Sequence, residues 1–440
     1  MTNTIQMQVE ARREQLQRVL RSPFFVLAIS FCVRLAIILM TKSYLQIEHT
    51  EIVRVATSLA RHGGFADAFG PHTGPTAHVS PIYPLLLSGI FRVFGTGAAG
   101  EIAQEVFSSL IASLTYAGLP LLSAAAGFDP LLGGVAGILG GMLPANYWSE
   151  TKGSFEAALA GFMLMIFCLA TLRSWRSQNF SVSSAVAVGM ISGIALLISP
   201  SLAPVVVTSL VAGFALFART VARQYIRFAL IVTVCTVLCL TPWTIRNKIA
   251  LGGALWSRSG FGLELSISNN DVAAANWLDN IDSGWFQSSH PYYSRVEREE
   301  VRGMGELAYN QAKMKEAIRW IATHPAHFTH LCLDRMYYFW FPKMRRPIQW
   351  ALMAVFACGG FVGVIQMLRS HNRSAWLFLV TLISYPAVYY LVESFARYRS
   401  PIDWMLVFLT VFAVWPIGGR QAAKPTSAYR EAYVTARGDR

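Results

Sequence analysis

The sequence has little charge for a chain of 440 residues. Only 14% of the residues are Asp, Glu, Lys or Arg, whereas soluble domains carry about 25%. Hydrophobic residues make up 54% of the chain, and the mean hydropathy is +0.42. This composition excludes an ordinary soluble domain and predicts an all-α polytopic membrane protein.

Cysteine is also scarce, and its spacing indicates no special chemistry. The six cysteines lie mostly inside apolar runs, where a free thiol behaves as a small packing residue. Neither a disulfide framework nor a zinc spacing is present. The first apolar run lacks a small-residue cleavage site after it, so it is predicted to be a retained span and not a signal peptide.

The chain is nonetheless basic, with a formal net charge of +13. No run combines basic and aromatic residues as a nucleic-acid platform does, so nucleic acid is not expected as a partner. The basic residues flank apolar runs instead, where they orient membrane spans with the positive loops in the cytoplasm. The partner that this pattern predicts is the lipid bilayer.

About ten apolar runs are long enough to be transmembrane helices. The candidates are Pro23–Met40, Gln104–Ala126, Leu131–Ala145, Phe155–Leu172, Ser183–Ile198, Leu202–Ala218, Ile226–Trp243, Ile348–Leu368, Ala375–Leu391 and Ile402–Trp415. Two further runs, Ile82–Phe94 and Phe328–Phe341, are predicted to lie at the outer membrane surface. If either run crossed the membrane, the arginine-rich loops that follow it would fall outside, against the positive-inside rule.

This topology divides the chain into three parts. Residues 1–22 form a cytoplasmic amino end, 23–418 form the membrane domain, and 419–440 form a cytoplasmic tail. The outer loops are predicted at about 41–103, 146–154 and 246–347, because these segments separate spans on the side without the basic loops.

The first outer loop begins with a predicted amphipathic helix, within QIEHTEIVRVATSLARHGGF. Apolar residues recur at helical spacing from Ile52 to Leu59, and Gly63 with Gly64 ends the pattern. Glu51 and Arg54 lie on the polar side, where a solvated ion pair would explain both. A carboxylate held beside an apolar surface is also a candidate general base.

A proline-rich segment follows this helix, with the sequence FGPHTGPTAHVSPIYPLLL, Phe69–Leu87. Its four prolines and two glycines exclude helix until after Pro84. They predict a preformed turn with free backbone donors and acceptors. We expect this segment to form the floor of a site beside the amphipathic helix.

Several blocks of the sequence together resemble one family of membrane enzymes. The blocks are EIVRVATSLARHGGF, GPTAHVSPIYPLLLSGIFRVFG, TPWTIRNKIALGGALWSRSGFGLELSISNN, GELAYNQAKMKEAIRWIATHPAHF and RYRSPID. They resemble the GT-C polytopic glycosyltransferases, in the branch related to protein O-mannosyltransferases and the lipid A aminoarabinose transferase. The resemblance implies a GT-C-like fold and transfer of a sugar, with inversion, from a polyprenyl-phosphate donor to an acceptor hydroxyl of a lipid, glycan or protein. It also implies a bacterial inner-membrane protein with its active site facing the periplasm.

The resemblance also implies roles for individual residues. In this family an acidic residue at the start of the first outer loop deprotonates the acceptor; Glu51 matches that position, and Glu48 is the alternative. The expected substrate-binding residues are Arg54, His78, Tyr83, Arg246, Arg258, Asn269, Arg397, Tyr398 and Arg399. The arginines suit this chemistry, because sugar transfer needs a base for the nucleophile and cations for the departing phosphate. Membrane anchoring or headgroup contact is the alternative for the arginines nearest the spans.

No metal site or cofactor is predicted, and a divalent metal stays an alternative. The second outer loop carries Glu150 and Glu156 but no Asp-x-Asp motif. His324, His327 and His330 have no carboxylate or cysteine in register, so they are not predicted to bind metal.

The alternative function is that of a membrane transporter or lipid flippase. Transporters place ionisable residues inside their spans and often contain repeats. In this chain the carboxylates lie mostly in outer loops, and no twofold hydropathy repeat is present. Arg34 is an exception: it lies inside the first span and is predicted to face the helix bundle.

Overall fold

The structure is a computed structural model that describes residues 2–46, 49–143 and 147–416, with the side chains of 2–5 and 9 left aside. In these ranges the chain is helical and contains no sheet. Two isolated bridges join Ala66 to Pro75 and Asn276 to Ser394. The predicted all-α class is confirmed.

The first half of the chain contains α1 (Thr2–Leu20), α2 (Pro23–Thr41), α3 (Glu51–His62), α4 (Ile82–Phe94), α5 (Ala98–Ala117), α6 (Leu119–Ala126), α7 (Pro130–Met142), α8 (Tyr147–Thr151), α9 (Ala157–Ser177) and α10 (Val182–Ile198). The second half contains α11 (Ala203–Leu251), α12 (Phe261–Ser268), α13 (Trp277–Asp282), α14 (Trp285–Ser289), α15 (Arg295–Met304), α16 (Glu306–Thr323), α17 (Pro325–Trp340), α18 (Pro347–Arg369), α19 (Ser374–Ser384) and α20 (Ala396–Val414). Short 3-10 turns lie at Ser43–Leu45, Pro200–Leu202 and Pro386–Tyr390.

The predicted spans coincide with helices. Segments long and apolar enough to cross a membrane are Pro23–Thr41, Ala98–Ala126, Ala157–Ser177, Pro200–Leu251 and Pro347–Arg369. Shorter apolar helices are Ile82–Phe94, Pro130–Met142, Val182–Ile198 and Ser374–Tyr390. The count of about ten crossings, which depends on these shorter helices, stays a prediction.

The helical stretch α11 reverses its direction at Val221, where φ is −139° and ψ is 38°. Tyr225 Oη donates a hydrogen bond to the carbonyl of Leu210 over 3.1 Å, although the two residues are 15 positions apart. In a continuous helix that separation would be about 22 Å. The two predicted spans around the arginine-rich segment therefore form a helical hairpin.

Glycines bring the inner helices into close contact. A Cβ on Gly137 of α7 would lie 2.6 Å from the carbonyl oxygen of Tyr116 in α5. A Cβ on Gly141 would lie 2.8 Å from the Cβ of Ser30 in α2. These small residues thus let neighbouring helices approach closely, as is typical of helix packing in membranes.

The charge inside the first span is paired. Arg34 donates from Nη2 to Oε2 of Glu150 over 2.5 Å and from Nη1 to Oγ of Ser30 over 2.6 Å. Tyr116 donates to the other oxygen of Glu150 over 3.0 Å. Arg34 thus faces the bundle as predicted, and it holds the second outer loop against α2 and α5.

The predicted first outer loop packs on one end of these helices. The Thr50 hydroxyl caps α3 by accepting the N–H of Val53 over 3.3 Å, and Gly63 ends the helix with φ +71°. The side of α3 predicted to be apolar is buried. The predicted amphipathic helix is therefore confirmed.

The start of α4 differs from the sequence-based expectation. This helix begins at Ile82 and includes Pro84 in its first turn, whereas the prolines were predicted to exclude helix until after Pro84. The expectation is wrong because the first N–H groups of a helix have no intrahelical partner, so a proline there removes no hydrogen bond.

Candidate functional site

A cavity of about 750 Å³ is enclosed by all the predicted outer loops. Its lining residues come from the segments 49–52, 78–79, 148–160, 199–204, 256–264, 277–293 and 385–401. Five of the eleven predicted site residues line it: Glu51, His78, Arg258, Arg397 and Tyr398. Chain segments far apart in sequence thus meet around a single space.

Glu51 is the first residue of α3 and lines this cavity. Burial raises the pKa of the Glu51 carboxyl above its usual range, although a backbone hydrogen bond and the charges of Arg397 and Arg258 lower it. A partly desolvated carboxylate of raised pKa is a better proton acceptor than an exposed one. The geometry therefore suits Glu51 to general-base chemistry.

Two histidines adjoin Glu51. Nε2 of His290 lies 3.8 Å from Oε1 of Glu51. Burial lowers the pKa of His290 to about 4, and it also lowers the pKa of His78, so both rings are neutral at pH 7. Nδ1 of His290 accepts the backbone N–H of Tyr292 over 3.1 Å, which assigns the ring proton to Nε2, facing Glu51.

Glu51, His78 and His290 are also close enough to share a metal ion. One ligand atom of each lies within 4.8 Å of the others. Metal binding does not fit the hydrogen bond that His290 Nδ1 accepts from Tyr292. That bond leaves the ring proton on Nε2, the nitrogen facing Glu51, which therefore offers no lone pair to a metal ion. The arrangement fits a carboxylate with a hydrogen-bond donor better than a metal centre.

The histidines that invite a metal interpretation in the sequence lie elsewhere. His324, His327 and His330 are exposed around the junction of α16 and α17. The rings of the first two contact Trp320, with centroids 5.0 and 5.2 Å away.

Arg397 supplies positive charge to the cavity wall. Its Cζ lies 3.6 Å from the ring centroid of Phe155, and the rings of Phe395 and Tyr398 flank it at 5.1 Å. Its Nη2 makes one long hydrogen bond, of 3.4 Å, to the Tyr398 hydroxyl. Among the described residues no carboxylate forms an ion pair with Arg397, so its N–H groups are available to an anion.

Arg258 is the second cation of the cavity. Its Nε donates to the carbonyl of His78 over 2.9 Å, which ties it to the proline-rich segment. Its Nη1 lies 3.8 Å from Oε1 of Glu156, a cavity residue from the second outer loop. Arg258 therefore links the floor and the wall of the cavity.

The other predicted substrate-binding residues do not line the cavity. The Tyr83 hydroxyl donates to the carbonyl of Gly153 over 2.6 Å. Arg246 donates to the carbonyls of Thr76 and Phe65 over 2.6 and 2.8 Å. Both side chains hold backbone in place, and their hydrogen-bonding groups face protein atoms.

Asn269 and Arg399 have structural partners as well. Asn269 Nδ2 donates to the carbonyl of Leu391 over 3.0 Å, and its Oδ1 accepts from Arg335 over 3.0 Å. Arg399 is buried and pairs with Asp403 over 2.8 Å. Arg54 also lies outside the cavity lining, and Glu48 lies outside the described residues.

Glu306, at the start of α16, was not singled out from the sequence. Its Oε1 accepts the N–H of Ala77 over 2.8 Å and the hydroxyl of Ser259 over 2.6 Å, and its Oε2 accepts the Thr76 hydroxyl. Glu306 thus joins the proline-rich segment to the loop before α12. The backbone of that segment is largely bonded, and the prediction of free donors and acceptors is wrong there.

Solved structures share this fold. The archaeal oligosaccharyltransferase AglB from Archaeoglobus fulgidus, in complex with an inhibitory peptide and a dolichol-phosphate, matches with a TM-score of 0.55 and 12% identity. The alignment covers 94% of this chain and 54% of AglB. The fold is GT-C-like. The fold that the sequence blocks led us to expect is thereby confirmed, and the likeness concerns the fold alone.

Two other comparisons set the limits of this likeness. The Archaeoglobus fulgidus oligosaccharyltransferase in complex with Zn and sulfate matches with a TM-score of 0.53 and 13% identity, over 88% of this chain and 48% of that one. The present chain therefore spans about half the length of these relatives. ArnT from Cupriavidus metallidurans, bound to undecaprenyl phosphate, aligns at 12% identity over 89% of this chain and 77% of the ArnT chain. Its TM-score of 0.30 is too low to support an argument. No protein-family model and no curated protein matches the sequence.

Proposed function

We propose that this chain is a glycosyltransferase that moves a sugar from a polyprenyl-phosphate donor to an acceptor hydroxyl, with inversion, at the periplasmic face of a bacterial inner membrane. The observation that carries the proposal is the joint presence on one cavity of a half-buried carboxylate, Glu51, and a guanidinium, Arg397, that forms no ion pair with any carboxylate of the described residues. The GT-C-like fold supports it, since AglB is an oligosaccharyltransferase whose solved complex contains a dolichol-phosphate.

The reaction needs one displacement at the anomeric carbon of the sugar. Glu51 takes the proton of the acceptor hydroxyl, and the hydroxyl oxygen attacks that carbon from the side opposite the phosphate. The bond from the carbon to the phosphate oxygen breaks, and polyprenyl phosphate leaves with the electron pair. Arg397 and Arg258 donate hydrogen bonds to the phosphate as its charge grows.

His290 prepares Glu51 for this step. Its neutral ring directs the Nε2 proton toward the carboxylate, 3.8 Å away, and favours the ionised form that can accept a proton. We propose that the divalent metal left open by the sequence is not needed, because the histidine nitrogen nearest Glu51 is a donor.

The deciding experiment is a reconstituted assay with a panel of polyprenyl-phosphate sugars, run with and without a chelator. Donor consumption and a glycosylated product are measured together. We expect Glu51→Gln to lower turnover by about a hundredfold to ten-thousandfold, since it keeps the shape of the side chain but cannot accept a proton. Chelation should leave turnover unchanged.

Glu48→Gln is the matched control in this assay. If it abolishes transfer while Glu51→Gln does not, Glu48 is the base and the assignment to Glu51 is wrong. Movement of the donor across the bilayer without any product would favour the alternative function, a lipid flippase or transporter.

A further inference from the structure

Three arginines converge outside the cavity, next to the polar side of α3. They are Arg54 of α3 and Arg298 and Arg302 of α15, and Arg302 donates a hydrogen bond to the carbonyl of Pro71, next to Gly70. Arg54 Nη1 and Arg298 Nε each lie 3.3 Å from the position that a Cβ on Gly70 would occupy, so the two atoms are at most twice that distance apart. Gly70 has φ +139°, a conformation that other residues rarely adopt, and its missing side chain leaves room for both guanidinium groups.

Neutral groups hold the first two arginines in place. Arg298 donates from Nε to the carbonyl of Pro291 over 3.1 Å and from Nη2 to the carbonyl of Tyr292 over 2.6 Å. The Cζ of Arg54 lies 4.2 Å from the ring centroid of Tyr292. Because their anchors carry no charge, the two guanidinium groups are fixed close together without being neutralised.

The nearby carboxylates do not balance this positive charge. Glu299 pairs with Arg302 over 2.7 Å, and it is the one carboxylate of the described chain that forms an ion pair with any of the three arginines. Glu297 is occupied by Lys313 over 2.9 Å. Glu51 attracts Arg54 electrostatically but forms no ion pair with it. Positive charge is therefore in surplus, and an anion would relieve the repulsion between the guanidinium groups.

We propose that Arg54, Arg298 and Arg302 bind an anionic group of the acceptor, a phosphate or a carboxylate, while the acceptor hydroxyl meets Glu51. Glu51 and Arg54 are three residues apart on α3 and are therefore neighbours on its surface. Tyr292 connects the two places, because its side chain contacts Arg54 and it also lines the cavity.

The position of this cluster favours the acceptor over the donor. The donor phosphate has Arg397 and Arg258 inside the cavity, so it does not need the outer arginines. A transfer reaction has two substrates, and a second group of cations beside the base is suitably placed to bind the second one, the acceptor. The assignment to the acceptor rests on the proposed transferase function, whereas the anion site itself does not.

The test uses the full-length wild-type protein in nanodiscs of phosphatidylcholine and needs no turnover. Arginines are modified with phenylglyoxal, with and without inorganic phosphate, and the rate at each arginine is read by peptide mass spectrometry. Phosphate should slow the modification of Arg54 and Arg298 by about fivefold or more, because fork-shaped hydrogen bonds to phosphate shield the guanidinium. Arg61, on the same helix and bonded to Thr96, is the control and should keep its rate.

If phosphate leaves the modification rate of Arg54 unchanged, as it should that of Arg61, the proposed site is wrong. Nanodiscs that contain phosphatidylglycerol separate the two sources of the anion. If Arg54 is protected there without added phosphate, a lipid headgroup occupies the cluster and the acceptor assignment is wrong. If it is protected only by added phosphate, the site takes a mobile anion, as proposed.

A kinetic measurement follows once the reconstituted assay has identified a donor and an acceptor that react. Arg54→Gln should raise the KM of a phosphate-bearing acceptor about tenfold more than the KM of a neutral acceptor, as expected for one lost charge-assisted hydrogen bond. An equal rise for both acceptors would contradict anion recognition. Protection by phosphate without any transferase activity would keep the anion site and remove the proposed function, so the two failures are distinguishable.

Discussion

Glu51 is a half-buried carboxylate and Glu306 a buried one, and their surroundings differ. Burial raises the pKa of each carboxyl. Glu306 accepts hydrogen bonds from Thr76, Ala77 and Ser259, which use its lone pairs and fix it as a structural acceptor. Glu51 faces the cavity and His290 instead, so its lone pairs are available to a substrate proton.

The raised pKa of Glu51 predicts the pH dependence of transfer. As the pH falls through this pKa, the carboxylate takes a proton and can no longer accept one from the acceptor, so the rate falls. Because burial raises the pKa of the Glu51 carboxyl, the fall should begin above the pH at which an exposed glutamate titrates. The measurement is kcat/KM against pH at fixed ionic strength; an acidic limb at or below the usual value would contradict a buried base.

Arg397 is predicted to bind the donor phosphate. Arg397→Ala removes the guanidinium that has no carboxylate partner among the described residues. Donor affinity should fall by about tenfold to a hundredfold, because a hydrogen bond to a charged group contributes about 1.5–3 kcal/mol. Equilibrium binding of a polyprenyl phosphate measures this directly, with Arg61→Ala as the control on the outer surface. Unchanged donor affinity would instead favour contact with lipid headgroups.

At the level of elements, a short segment of the second outer loop holds the base helix in place. The Ser154 carbonyl accepts the hydroxyl of Thr50, the N-cap of α3, over 2.9 Å. The Gly153 carbonyl accepts Tyr83 from α4 over 2.6 Å. Lys152 donates to the carbonyl of Ser43, just after α2, over 3.0 Å. The segment 152–154 therefore sets the position of Glu51 at the start of α3.

The ammonium of Lys152 also closes a buried ionic cluster. It pairs with Glu105 over 2.9 Å and with Glu101, both from α5. All three side chains are almost completely buried. A buried charge that loses its partner is strongly destabilising, so this cluster resists movement of the segment that positions α3.

Gly153→Ala tests this positioning role. Gly153 has φ +72°, and a Cβ there would lie 3.0 Å from Cγ of Gln104 and 3.1 Å from Cβ of Ser108. We expect a loss of stability of about 1–3 kcal/mol from backbone strain, together with slower transfer and unchanged donor affinity. The readouts are the thermal unfolding midpoint, kcat, and hydrogen exchange at the first turn of α3.

Gly89→Ala is the matched control for this change. Gly89 lies on the exposed side of α4 with nothing within 4 Å of its Cβ position, so alanine should be neutral or stabilising there. If both variants lower kcat to the same extent, the effect does not come from the segment 152–154.

The sequence predicts the regular elements of this molecule well, because their signals are local. Apolar runs and glycine stops are enough to predict α3 and the membrane helices. The partners of polar side chains are not local. Arg246 and Arg399 look like phosphate ligands in the sequence, but backbone carbonyls and Asp403 accept the same hydrogen bonds, and only the tertiary fold decides between them.

His290 is a cavity residue that the sequence patterns do not predict. It lies in a long loop without a recognisable motif, and its value comes from contacts with Glu51 and with the backbone of Tyr292. No spacing rule connects residues so far apart in the chain. Chemistry assembled from separate loops is therefore the part of the site that sequence patterns predict least.

At the scale of the whole molecule, the proposed site requires one defined orientation in the membrane. Ala157, at the start of α9, lines the cavity, and α9 runs for 21 residues to Ser177. A helix of that length spans about 30 Å, the thickness of the hydrocarbon core. Arg173, near its far end, should therefore lie on the opposite side of the membrane from the cavity.

Single-cysteine labelling tests this orientation. In a background without the natural cysteines, Arg173→Cys and Ser288→Cys are exposed to a membrane-impermeant maleimide in sealed spheroplasts. Ser288, in the third outer loop, should react at once, whereas Arg173 should react only after the membrane is permeabilised, because the basic loops stay inside. If both sites react in sealed spheroplasts, Arg173 and the cavity are on the same side, and α9 does not cross the membrane. If only Arg173 reacts, the chain is inverted, the cavity faces the cytoplasm, and the donor must be presented there.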